Sequence, residues 1–142
     1  MSMYEQFQTD PDLEKNGIFI DYGEFRVTLA RAGGANKQYA KLLEAKTKPY
    51  RRAIQIETMD NEKAMDLLLE AFAEAVVLNW EVKDGDKWKK GIEGPDGDVI
   101  PFNTDNVIKT LRALPDLFND LQEQASKVAL YRKSIDEDDA GN

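Results

Sequence analysis

Residues 25–52 read FRVTLARAGGANKQYAKLLEAKTKPYRR. Phe25, Val27 and Leu29 alternate with Glu24, Arg26 and Thr28, the period of two that a strand with one buried face requires. Gly33-Gly34 ends that strand, and Asn36 stands where a helix cap belongs. Tyr39, Leu42, Leu43 and Lys46 then recur at helical spacing, so a helix is predicted to about Lys48. Pro49 has no amide proton and disfavours helix at Lys48. The helix therefore ends there, kinks, or restarts with Pro49 in its first turn, and Tyr50, Ala53, Ile54 and Glu57 continue one face. Upstream, Ile18, Phe19, Ile20 and Tyr22 meet the strand across Tyr22-Gly23-Glu24, which predicts a β-hairpin.

The same stretch is strongly basic. Arg26, Arg31, Lys37, Lys41, Lys46, Lys48, Arg51 and Arg52 stand against Glu44 alone, whereas the whole chain carries −8. A split of this kind concerns surfaces and partners rather than fold. One reading is a solvated face paired with acidic neighbours. A second is a face that meets an acidic protein, or the acidic tail of a second copy; a third and weakest is nucleic acid, on which Tyr39 and Tyr50 would stack, although Tyr39 lies on the apolar face. The candidate partner-binding residues are Lys41, Lys46, Lys48, Arg51 and Arg52.

Beyond it, Asp60 to about Trp80 reads as the central core helix, with Met65, Leu68, Leu69, Phe72, Val76 and Trp80 in the three-four pattern. Residues 82–102 are turn-rich, with Asp84-Gly85 and Gly94-Pro95-Asp96-Gly97 among Val82, Trp88, Ile92, Val99 and Ile100, and predict short strands. Thr104 caps a helix to Leu114, and Pro115 opens another, carried to about Ser134 by Leu117, Phe118, Leu121, Ala125 and Val128. The predicted fold is α+β and mainly α-helical. An N-terminal hairpin packs on about four helices, with a short β segment around 82–102. Residues 1–16 are expected as a flexible arm, 17–135 as one globular domain, and 136–142 (Asp136-Glu137-Asp138-Asp139-Ala140-Gly141-Asn142) as a disordered acidic tail.

The 142 residues, 42% hydrophobic and 32% charged, suffice for a core and resemble globular proteins. There is no Cys and no His, so disulfides, Cys/His zinc sites and the usual triads are excluded. Ser2, Ser126 and Ser134 have no natural base beside them, and no carboxylate pair stands in an apolar setting. The expectation is a protein without catalytic residues, cofactor or metal. Asp84-Gly85-Asp86 and Asp96-Gly97-Asp98 read as plain turns, since neither continues into a calcium loop. Gly33-Gly34 between Arg31 and Lys37 is arranged like an anion-binding turn, but the phosphate-loop pattern is unmatched, and the favoured reading is a tight turn that lets the helix pack on the hairpin. An acidic balance argues against nucleic acid, and no apolar run approaches the ~20 residues of a membrane span. No signal peptide is expected from MSMYEQFQTDPDLEKNG.

The run FRVTLARAGGANKQYAKLLEAKTKPYRRAI resembles small proteins of long-tailed bacteriophages. AEAVVLNWEV, GIEGPDGDVIPF and PDLFNDLQEQASKVALYR continue the likeness, which is to phage tail assembly chaperones and spans about Phe25 to Lys133. The resemblance implies a non-enzymatic factor in the host bacterial cytoplasm. Such a factor binds the long, helical tape-measure protein, supports assembly of the tail-tube protein around it, and is missing from the virion. No family motif of binding residues is carried over. A homo-oligomer is compatible with the apolar stripes. The alternative is a structural virion component, a tail-completion or connector subunit.

Overall fold

The computed structural model describes residues 2–133. The acidic tail expected at 136–142 lies outside them. Helix α1 spans Met3–Phe7 and α2 Pro11–Asn16. Strands β1 (Ile18–Asp21) and β2 (Phe25–Leu29) form the predicted hairpin, with Tyr22 stacked on Phe25 at 4.8 Å. Then come α3 (Lys37–Thr47), a 3₁₀ turn (Lys48–Tyr50), α4 (Arg51–Gln55) and α5 (Asn61–Ala75). Strands β3 (Val77–Asp84), β4 (Lys87–Lys90), β5 (Ile92–Glu93) and β6 (Val99–Ile100) follow. The last elements are α6 (Thr104–Ala113), α7 (Pro115–Ala125) and a 3₁₀ turn over Val128–Tyr131. One antiparallel sheet has the order β1-β2-β3-β4, and β5-β6 form a second, small one. The α+β class therefore holds.

The hairpin is half of a larger sheet, which corrects the predicted helix over Asp60–Trp80. The helix stops at Ala75, and Val77–Asp84 pairs with β2, Val27 opposite Trp80 and Phe25 opposite Val82. Val76-Val77-Leu78 satisfies a buried strand as readily as a helix face, and pairing with β2 decides the matter. Val27, Leu29, Val77 and Trp80 bury one sheet face against Leu69, Phe72, Val107, Leu111, Phe118 and Leu121 of the helices. Phe72 meets Tyr39 and Phe118 edge to face, at 6.2 and 5.3 Å. On the outer face Arg26 lies between the rings of Phe19 (3.9 Å) and Trp88 (4.5 Å) and bonds Glu81 at 2.8 Å.

Two further expectations change. Asn103, not Thr104, caps α6, accepting from the Asn106 amide at 2.8 Å. The last helix ends at Ala125, because Tyr131 turns inward and is fully buried. Its hydroxyl proton is shared between the carbonyls of Leu29 (3.1 Å) and Ala30 (3.2 Å).

The segment expected as an arm is built into this end of the molecule. Asp10 caps α2, and its own amide donates to the Tyr131 carbonyl at 2.8 Å. Glu14 is 2% exposed. Its carboxylate accepts from Arg31 Nη1 (2.5 Å), Thr9 Oγ1 (3.0 Å) and the Ala35 amide (3.4 Å). The anion of the glycine turn is thus the chain's own side chain. Gly34, at φ +57°, has no room for a β-carbon beside that carboxylate. Asn36, expected as a helix cap, instead donates its side-chain amide to the carbonyls of Arg31 (2.8 Å) and Ala75 (3.0 Å).

Burial alone would raise the Glu14 carboxyl; the Arg31, Thr9 and Ala35 bonds outweigh it and hold it below the usual value. A lowered native value means stability that is present above the ordinary carboxylate range and lost as pH falls through the native one. Urea unfolding should therefore weaken steeply in acid for the natural chain. Glu14→Gln should be less stable at pH 7 and show a flatter acid limb; equal acid limbs would remove this account. Tyr131→Phe leaves two buried carbonyls without their donor and should cost about 1–3 kcal/mol in the same assay.

Candidate partner-binding surface

Helices α3 and α5 run antiparallel. Asn36 bonds Ala75 at one end, Tyr39 meets Phe72 between, and Lys63 Nζ lies 5.5 Å from the Tyr50 ring at the other. The far end of this pair is a tip. Pro49 breaks α3 there into the 3₁₀ turn, and α4 restarts with only five residues. Glu57, at φ +57°, ends it in a conformation that non-glycine residues seldom adopt.

The basic stretch divides in two. Arg26 is held by Glu81, Arg31 by Glu14, and Lys46 by Glu70 (3.5 Å) and Glu74 (3.3 Å). Lys46 thus helps fasten α3 to α5. Lys37, Lys41, Lys48, Arg51 and Arg52 are exposed and make no ion pair among the described residues. Lys48, Arg51 and Arg52 share the tip, with Lys41 two turns back along α3. Glu57, Asp60 and Glu62 follow closely, so the tip mixes charges more than the linear count suggests.

Large apolar side chains accompany them. Ile54, Ile56 and Met65 are about half exposed. Met65, expected in the core stripe, sits in the first turns of α5, beyond the reach of the sheet and of α7. Ile54 and Ile56 are two residues apart and cannot share one helix face, a signal the sequence did carry.

Between the β5-β6 turn and α6 opens an apolar cleft of about 470 Å³, walled by Ile92, Pro95 and Ile100 on one side and Lys109, Ala113 and Leu114 on the other. A smaller hollow of about 190 Å³ shares Ile92, Glu93 and Leu114 and is lined also by Glu24, Phe25, Val82 and Leu117. Leu114 precedes Pro115 and leaves helical geometry (φ −124°, ψ 72°), so α6 and α7 meet at a corner that pushes its side chain outward. Arg112 Nη2 bonds Asp66 Oδ1 at 3.0 Å, tying this corner to the start of α5. Cleft and tip therefore occupy the same end of the molecule. The cleft escapes sequence reasoning because its walls come from two separate segments, 92–100 and 109–114, and only Leu114, stranded between two helices, hints at it.

Among the described residues no three acidic side chains gather in a way that could hold a metal ion, and no helix is long and apolar enough to cross a membrane.

A family model described as YdaY prophage protein matches residues 34–142, which include the tip, the cleft and helices α3 to α7. No curated protein and no solved structure is matched by the chain. With more than three quarters of its length inside that match, the chain belongs to the YdaY prophage protein family.

Proposed function

We propose that this prophage protein is a non-enzymatic tail assembly chaperone. It would act in the host bacterial cytoplasm, holding the tape-measure protein while tail-tube subunits assemble around it. The observation that carries the reading is the pairing of an open apolar cleft with a tip of exposed isoleucine, methionine and unpaired cations. A long amphipathic helix is recognised by an apolar groove with charged rims. The phage origin of the family and the likeness of residues 25–133 to tail assembly chaperones support the same reading.

The two parts of the surface have different work. Fully burying one aliphatic side chain stabilises a complex by about 1.5–3 kcal/mol, whereas an exposed ion pair is worth about 0–1 kcal/mol. Ile54, Met65 and Leu114 would therefore carry affinity. Lys48, Arg51 and Arg52 would steer an acidic segment inward, an effect that fades with salt.

Co-expression with the tape-measure protein of the same prophage tests this. The expected result is more soluble tape-measure protein and a complex that copurifies. Ile54→Asp with Met65→Asp should abolish the complex. Lys48→Glu/Arg51→Glu/Arg52→Glu should slow association several-fold at low salt and little at 0.5 M. Unchanged solubility with no complex would sink the proposal. Mass spectrometry of purified particles should lack the chain; finding it there would favour a tail-completion or connector subunit.

A further inference from the structure

We propose that the partner of α1 is this chain's own C-terminal segment, with Ile135 seated against Met3, Tyr4 and Phe7. Helix α1 has five residues, and those three side chains are 78%, 74% and 66% exposed. Phe7 lies one turn from both Met3 and Tyr4, so the three form one apolar face. A helix so short is unstable alone in water. Ser2 and Glu5 fix its start through a reciprocal capping box, with bonds of 3.2 and 3.3 Å. Nothing among the described residues covers its apolar face.

The described residues end beside this face. Residues 131–133 run antiparallel to residues 8–10. The Asp10 amide donates to the Tyr131 carbonyl at 2.8 Å, Thr9 bridges Arg132, and the Lys133 amide donates to the Gln8 carbonyl at 3.0 Å. That direction decides where the chain heads next. Each step past Lys133 follows the facing segment backwards, from Gln8 towards Phe7 and α1. A hollow of about 410 Å³ opens there, lined by Met3, Tyr4, Phe7 and Gln8. Gln8 thus belongs both to the hollow and to the last backbone pair.

Reach and chemistry select the occupant. Residues 134–142 read SIDEDDAGN and lie outside the described residues. Ile135 is the one large apolar side chain among them. An extended chain advances roughly 3.3–3.6 Å per residue, which puts Ile135 about 7 Å past Lys133. From Gln8 back to Tyr4 is about 6 Å of helix. The two lengths match, so Ile135 comes level with Tyr4 and Phe7. A second copy or a foreign partner would lose translational and rotational freedom on binding this small face. A tethered side chain two residues from an existing backbone pair is already held at high effective concentration, and a small contact area suffices. The clasp ties the two ends of the chain together and leaves cleft and tip untouched, so it does not rest on the proposed function.

NMR spectra of the full chain should show nuclear Overhauser contacts from the Ile135 methyl groups to the rings of Tyr4 and Phe7, unchanged on dilution. In urea unfolding, Ile135→Ser should lower the folding equilibrium constant about ten-fold, the low end for burying one aliphatic side chain. Tyr4→Ser/Phe7→Ser should lower it as much, whereas positions without a cover change it only about two-fold. Combining all three substitutions should cost little more than either set, because both remove the same contact. Ile135 methyl groups without these contacts overturn the proposal, and so do losses that simply add. Contacts seen only between differently labelled copies also overturn it, and make a second copy the occupant. A chain ending at Lys133 whose α1 resonances match those of the full chain overturns it as well.

Discussion

The carboxylate of Glu14 is buried against Arg31, and the rest of the structure depends on that contact. Breaking a buried pair from one side costs about 3–5 kcal/mol, a large share of a domain's net stability. The pair holds α2 to the end of β2, and the Glu14 backbone carbonyl takes the Arg31 amide at 2.9 Å. Around it converge the amide of Ala30 on Val76, that of Ala32 on Ala125, and the hydroxyl of Tyr131 on Leu29 and Ala30. Five segments that are distant in sequence are thereby joined at one end. Toward the opposite end the ties are the Arg26–Glu81 pair, the Tyr22 hydroxyl on Asp120 and the exposed Arg112–Asp66 bond.

The glycine turn shows how one local arrangement can serve two purposes. Strand, paired glycines and helix aim backbone amides at a negative charge. An external anion and an internal carboxylate satisfy that geometry equally well. Here the chain supplies the anion itself, so the turn is structural, and Gly34 is needed because a β-carbon would strike Glu14. The cations nearby divide by the same logic. Those facing a carboxylate across the fold are consumed as fasteners, and those along the outer side of α3 and around Pro49 remain on the surface.

The open end is a consequence of two prolines. Pro49 stops α3 from continuing along α5, and the five-residue α4 leaves Ile54, and Ile56 just past its end, about half exposed. Pro115 turns the chain between α6 and α7 and strands Leu114 at the corner. In both places a backbone constraint exposes apolar surface that propensity and patterning would have hidden. Exposed apolar side chains of this kind, next to charge, mark interaction surfaces more often than scattered single ones do.

By itself the sequence determined the α+β class, the first hairpin and its buried face, the helix that follows the glycines, and the breaks at Pro49 and Pro115. Each rests on a local rule: alternation of period two, helical spacing, or the missing amide of proline. It also determined the absence of cysteine and histidine chemistry. Only the tertiary structure decided that Val77–Asp84 is a strand, since an apolar run fits helix and strand alike until β2 offers it hydrogen bonds. Only the tertiary structure decided that Glu14 is buried and which carbonyls hold the Tyr131 hydroxyl, because their partners lie 17 and about 100 residues away. Of the five candidate cations, Lys46 proved to be a fastener, as its two glutamates sit on another helix. The cleft was invisible for the same reason: local sequence states what each segment can form, while burial and pairing are settled by what the fold brings alongside it.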